Sequence, residues 1–312
     1  EQGRAAVRPS GRGGYGGGLA IALLSAAAFG LSGSLARSLF DLGWTPAAVV
    51  AVRITGAFLV LLVPCLLLLR RAGLPSLRQT GRMAAYGVVA VAMAQLCYFS
   101  AVQYLDVGVA LLLEYLAPVL LIFWHWGRSR RRPAVSVFGG AALALLGLVF
   151  VLDLRGGVTL HPVGVLWGLG AAVCLSAYFV LSEGGGRTPD IPPLLLATGG
   201  TAVGGAVILT AAAVGLLPFA ATTGSTVLAG TVVGWWLPVA LLVGVTAVLA
   251  YLTGIVAVRR LGSSAASFLS LAEVLFAVAF AVVLLSQQPS GSQLVGGALV
   301  LAGIAVVQRG SR

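Results

Sequence analysis

Pro133-Ala-Val-Ser-Val-Phe-Gly-Gly-Ala-Ala-Leu-Ala-Leu-Leu-Gly147 and Pro289-Ser-Gly-Ser-Gln-Leu-Val-Gly-Gly-Ala-Leu-Val-Leu-Ala-Gly303 run in register at a constant offset of 156 residues. The proline, the serine and the glycines at 140/296 and 147/303 coincide, and each stretch is a proline-led apolar run. Gly/Ala-rich membrane helices look alike by chance, but the shared proline at the head of both copies argues for a duplicated unit. Outward from these two copies, ten apolar stretches separated by Pro, Gly or Arg fill the chain: 17–39, 46–69, 83–105, 108–127, 134–152, 163–183, 193–217, 235–258, 263–286 and 292–308. Each is about the 20 residues that a bilayer core of about 30 Å requires of a helix. The quoted copies are the fifth and the tenth, so each half holds five spans. An odd number brings the second half into the bilayer upside down. The predicted fold is all-α integral membrane, ten transmembrane helices in two inverted five-helix repeats. A flexible cytoplasmic tail covers 1–16, the first repeat 17–152 and the second 163–308. The alternating ten-residue segments of a membrane β-barrel do not appear, and strands are not expected.

Composition agrees. At 312 residues, 59% hydrophobic, 9% charged and with a mean hydropathy of +1.06, the chain lies far from a soluble domain and excludes a soluble enzyme. Its net charge of +11 would suggest nucleic acid in a soluble protein. Here the arginines report topology. With the N-terminus inside, Arg4, Arg8, Arg12, Arg70, Arg71, Arg78, Arg82, Arg128, Arg130, Arg131, Arg132, Arg187, Arg259, Arg260, Arg309 and Arg312 face the cytoplasm. Only Arg37 and Arg155 face out. Both termini are therefore expected in the cytoplasm of a plasma-membrane protein, and nucleic acid is not expected as a partner. The chain begins at Glu1 without a methionine, which leaves its natural start open. Cys65, Cys97 and Cys174 each sit inside an apolar run and read as packing residues, with no CxxC pattern. Gly11-Arg-Gly-Gly-Tyr-Gly-Gly-Gly18 has no GK[ST] ending and reads as flexible tail. HExxH, GxSxG and paired aspartates for Mg²⁺-diphosphate chemistry are absent from the sequence, so neither metal nor cofactor is expected.

Charge inside a span costs about 2.5 to 3.5 kcal/mol, so each instance asks for a reason. Arg53 lies in the second span, about a dozen ångströms past Pro46 at the helical rise. It reads either as a structural bond to carbonyls or as an anchor for an anionic substrate group or an acid. At offset 146 its counterpart is Gly199, so the repeat does not preserve it. Glu114, in the fourth span, shares a helical face with Pro118 and His125, and Tyr104 and Tyr115 are near in sequence. His125, between Trp124 and Trp126, reads equally as part of an interfacial aromatic belt. Glu273 pairs with Ala117 at offset 156 while Glu114 pairs with Ser270, so the two acids fall one helical turn apart in the repeat frame. Ser267, Ser270 and Phe280 add small, polar and aromatic groups to the ninth span, compatible with a wet cavity. Carboxyls held away from water suit proton exchange; a helix-packing hydrogen bond is the alternative. The expected pathway for substrate or proton is Arg53, Glu114, Pro118, Ser270 and Glu273, with Tyr98, Tyr115, His125, Ser267 and Phe280 as candidate cavity lining. The glycines of the fifth, seventh and tenth spans allow close helix approach in lipid.

Together these features resemble the drug/metabolite transporter superfamily in its EamA-type branch. The resemblance covers about residues 18–308. It is carried by Trp44-Thr-Pro-Ala-Ala-Val-Val-Ala-Val-Arg53 after a short first hairpin, by Glu114-Tyr-Leu-Ala-Pro118-Val, and by Phe268-Leu-Ser-Leu-Ala-Glu273-Val-Leu-Phe-Ala. One departure stands at the end of the ninth span, where such proteins often carry Leu-Gly-Glu and this chain has Leu285-Ser-Gln-Gln288-Pro. The resemblance implies a secondary transporter that exports small organic metabolites or drugs by alternating access, with proton coupling as an option that the two carboxyls offer. Its expected partners are a small-molecule substrate and the lipid bilayer, and oligomeric state is left open. The rival readings are a membrane-embedded enzyme acting on a lipid-linked substrate, which would require clustered acids, His or Ser near one interface, and a passive channel.

Overall fold

The computed structural model describes residues 12–72, 75–117, 119–120, 127, 135–151, 161–182, 191–261 and 272–310. Among the described residues lie ten helices in chain order: α1 (Arg12–Phe40), α2 (Pro46–Ala72), α3 (Leu77–Tyr104), α4 (Val107–Glu114), α5 (Val135–Val151), α6 (Pro162–Ser182), α7 (Pro193–Ala213), α8 (236–261), α9 (Ala272–Leu285) and α10 (Gly291–Gly310). Proline opens α2, α6 and α7, where its missing N–H is no loss. Reciprocal capping boxes fix the starts of α3 and α10: Ser76 with Gln79, and Ser290 with Gln293. Gly43 and Gly215, at φ +88° and +77°, take the left-handed position that closes α1 and α7.

Among the described residues, five helical stretches are long and apolar enough to cross a membrane, Gly17–Phe40, Pro46–Arg70, Leu77–Tyr104, Pro193–Ala213 and Trp236–Gly254; four shorter apolar ones lie in α5, α6, α9 and α10. Leu59, Val60, Val63, Leu66 and Leu67 form an exposed apolar stripe on α2 that only lipid would cover. The buried core lies on the other side of that helix, where Val49, Val50 and Ile54 pack among Leu35, Leu39, Phe99, Leu111 and Leu113. The chain is a helical, multi-pass membrane protein.

Four predicted details are corrected. α1 begins at Arg12, so the glycines after it extend the helix where a tail through residue 16 was expected. α7 ends at Ala213 and not at 217, because Gly215 turns the chain there. The fourth stretch is not one unbroken helix. α4 stops at Glu114, a tight turn follows at Tyr115–Leu116, and helical turns resume at Ala117. Pro118 explains the stop, since it has no N–H to return to the Glu114 carbonyl. Finally, the loop after α7 contains strands: β1 (Ser225–Leu228) pairs antiparallel with β2 (Thr231–Gly234). This hairpin straps the ends of α1 and α9, and the loop leading into it holds the approach to α2. Thr226 Oγ1 donates to the Ser38 carbonyl at 2.9 Å and the Ala229 amide to the Leu284 carbonyl at 3.1 Å, while Trp44 Nε1 donates to the Thr222 carbonyl at 2.8 Å.

The packing repeats itself when the first five helices are exchanged with the last five. α1 lies against α8 and α9 as α6 lies against α3 and α4; α3 meets α7 as α8 meets α2; α5 pairs with α10 and α2 with α7. The α5–α10 contact shows this atom by atom. A Cβ on Gly147 would lie 2.6 Å from the Val300 nitrogen and 2.7 Å from the Gly296 oxygen; one on Gly303 would lie 2.5 Å from the Ala144 nitrogen and 2.6 Å from the Gly140 oxygen. Those partners are themselves related by 156 residues, which is the reciprocity of a two-fold contact.

Candidate functional site

Arg53 on α2 is the centre of the site. It is 3% exposed, and its guanidinium is held by two donated bonds: Nη1 to Gln95 Oε1 of α3 at 3.1 Å and Nη2 to the Thr246 carbonyl of α8 at 2.6 Å. Its Cζ sits 5.5 Å from the Phe99 ring centroid, a cation–π distance, and its Nε has no hydrogen-bond partner. Of the two sequence readings for Arg53, the bond to a carbonyl is present; no carboxylate hydrogen-bonds it among the described residues.

Both helices that hold Arg53 are locally unwound. Gly87–Met93 in α3 and Gly244–Leu249 in α8 are π-helical, and the two stretches correspond within one residue at the 156 offset. Such wide turns are rare and concentrate at functional sites. Each begins at a glycine, and the Thr246 carbonyl that accepts from Arg53 belongs to the second. Just beyond them, Gln95 Nε2 donates to the Tyr251 hydroxyl at 3.1 Å. These two residues are counterparts at a separation of 156, so equivalent positions of the two halves touch. Phe29 of α1 meets Tyr251 edge-on at 5.2 Å.

The acids complete the cluster. Glu114 ends α4 at the break before Pro118, and Glu273 lies in the first turn of α9 as described. Tyr115 Oη donates to Glu273 Oε2 at 2.9 Å, tying the two helices together. Glu114, Glu273, Tyr98 and Tyr251 all lie within electrostatic range of Arg53, and the two carboxyls within range of each other. A cation, two acids and several phenols thus share one low-dielectric space, where a polar group is strongly bound if matched and costly if not. The arrangement can hold a charged group by charge-assisted hydrogen bonds and can hold or release a proton.

Of the predicted residues, Arg53, Tyr98, Glu114, Tyr115 and Glu273 come together. Phe280 stacks on Phe276 at 6.4 Å within α9. Pro118, His125, Ser267 and Ser270 lie outside the described residues. Sequence reading missed Gln95, Phe99, Thr246 and Tyr251. For Gln95 and Tyr251 a signal existed: the repeat offset, applied to the third and eighth spans, pairs two polar side chains. Cys97 of α3 and Cys174 of α6, read as packing residues, are free thiols, and Cys97 packs against Gly170 of α6.

No curated protein matches the chain. Solved chains do, 21 of them. One crystal structure, described only as that of a protein, has a TM-score of 0.61 and 22% identity over 92% of this chain and 96% of its own; that likeness carries the fold alone. The sequence profile of the EamA-like transporter family matches twice, over residues 16–153 and 162–309. The two matches divide the chain where its 156-residue repeat divides it, and this chain belongs to the EamA-like transporter family.

Proposed function

We propose that the protein is a secondary transporter of the plasma membrane that exports small organic molecules by alternating access, with ten spans in two inverted five-helix repeats and both termini in the cytoplasm. The observation that carries this reading is the Gln95–Tyr251 bond between counterpart residues, placed beside a buried arginine and two carboxyls. A polar site where equivalent parts of two halves meet is the design of a carrier that rocks one half against the other. The α5–α10 contact supports opposed directions. Position 147 meets counterpart 140 and position 140 meets counterpart 147, as antiparallel helices do. Carboxyls within range of each other resist joint ionisation, which supports proton coupling at this site. A channel would require rings of like residues, and an enzyme would require reactive groups gathered at one interface.

Purified protein in sealed liposomes loaded with a mixed panel of amino acids, amines and nucleosides tests the reading. Saturable efflux of a subset, accelerated by an imposed pH gradient and lost in Arg53→Ala, is expected. Efflux that never saturates would establish a channel, and covalent conversion of a panel member an enzyme.

A further inference from the structure

A groove of about 250 Å³ opens between α4, α9 and α10, away from the arginine cluster. It exists because the helices lean on different neighbours: α9 packs on α1, and α10 packs on α5. Its body is apolar, walled by Leu112, Val278, Val282 and Leu294 and floored at Gly297. A Cβ on Gly297 would meet only the tip of Leu112, at 3.7 Å, so the floor is open. Leu294 and Val282 are themselves exposed, which makes the groove a lateral opening in the helix bundle.

One end of the groove is polar, and all its polar groups sit at helix ends. Asp106 precedes α4, is exposed, caps no amide of that helix and has no ion-pair partner among the described residues. Gln287 and Gln288 follow α9, and their side-chain amides make no hydrogen bond among the described residues. They come from the Leu285-Ser-Gln-Gln288-Pro segment where the chain departs from the resemblance noted above. Gln293 is already spent on the α10 capping box and offers little.

An apolar trough with an unpaired carboxylate and two free amides at its rim matches an amphiphile whose head carries both signs. The carboxylate selects a primary ammonium, because only N–H donors can form a charge-assisted hydrogen bond with it. The amides donate to a phosphate. The trough takes the chain that follows, at the value of apolar surface removed from its surroundings. We propose that this groove is a binding site for an ethanolamine phospholipid of the surrounding bilayer, with its ammonium on Asp106 and one acyl chain lying along Val278, Leu294 and Gly297. The site is distinct from the arginine cluster, and the proposal stands whether or not that cluster carries substrate.

The test uses full-length protein in detergent micelles supplemented in turn with phosphatidylethanolamine, phosphatidylcholine and phosphatidylglycerol, with retained lipid counted by native mass spectrometry. Phosphatidylethanolamine should be retained roughly ten-fold over the other two, the discrimination of one charge-assisted hydrogen bond. Phosphatidylcholine is the sharp comparison, since its trimethylated ammonium keeps the charge and loses the N–H groups. Asp106→Asn should abolish the preference, and Gly297→Leu, which fills the floor, should abolish retention of all three. Asp41→Asn, whose side chain pairs with Arg37 instead, should change nothing. Thermal melting provides a second readout: phosphatidylethanolamine should raise the midpoint of the wild type and not that of Asp106→Asn. Equal retention of the three lipids by the wild type, or a preference that survives Asp106→Asn, overturns the proposal.

Discussion

Arg53 shows how much one side chain can be asked to do. Its two bonds are charge-assisted, and each such bond contributes about 1.5–3 kcal/mol. Arg53→Ala is therefore expected to lower the melting midpoint in detergent as well as abolish transport. Arg53→Lys should restore part of the stability but less of the transport, because a single ammonium cannot span Gln95 and Thr246 with fixed fork geometry. A lysine variant with full transport would remove the guanidinium from any role. Tyr115 and Glu273 separate in the same way. Tyr115→Phe removes one donor to the carboxyl and leaves its titration possible, so transport should keep a pH dependence with a displaced midpoint. Glu273→Gln removes the titration, so the dependence should flatten; a profile unchanged in Glu273→Gln would exclude that carboxyl as a proton carrier. The charged members of this cluster were legible because charge in an apolar run is rare. Gln95 and Tyr251 carry no such mark singly, because one neutral polar residue among apolar ones has no periodicity of its own; only the 156-residue offset links them.

At the scale of elements, apolar length and proline placed the helices, while their ends depended on local chemistry. Gly43 and Gly215 terminate helices by a positive φ that the hydropathy pattern does not register. The hairpin was hidden for a related reason. Its two-residue turn, Ala229-Gly230, has φ of +51° and +74°, yet alanine is not the residue that advertises a left-handed turn. The π turns have no apolar signature at all. The glycine contact between α5 and α10 was legible as a motif, and the structure turns it into a quantitative expectation. Gly147→Leu and Gly303→Leu each drive a side chain into backbone, so each should destabilise by about 1–3 kcal/mol or more. Because the contacts are reciprocal, the two losses should be similar. Gly139→Leu, where a Cβ meets nothing within 4 Å, should be tolerated. Melting curves of the three variants side by side decide this, and an undisturbed Gly303→Leu would break the two-fold description.

The whole molecule carries the topology. On the proposed topology, with arginine-rich segments inside, the 218–234 and 153–162 loops lie outside and the 70–82 and 128–133 segments inside. Single cysteines introduced there, in a background without Cys65, Cys97 and Cys174, should react with an impermeant maleimide only at the first two sites in sealed cells. External labelling at 128–133 would reverse the second half. The hairpin and the loop leading into it give this a structural correlate, since Ser38 and Leu284 bond to the hairpin and Trp44 to Thr222 just before it, so the three share one face of the protein.

The near-symmetry of the two halves has an energetic meaning on the alternating-access reading. Were the halves identical, the inward-open and outward-open forms would be images of each other and equally populated. Any resting preference must then come from the residues at which the halves differ. Arg53 is one such difference: its bond reaches the Thr246 carbonyl in α8, while its counterpart Gly199 has no side chain to donate to the carbonyl of Ala90. Were such a bond made in one form and broken in the other, it would tilt the equilibrium by roughly ten- to a hundred-fold. On that reading duplication supplies the two states, and the divergence of a few buried side chains chooses which of them the protein waits in.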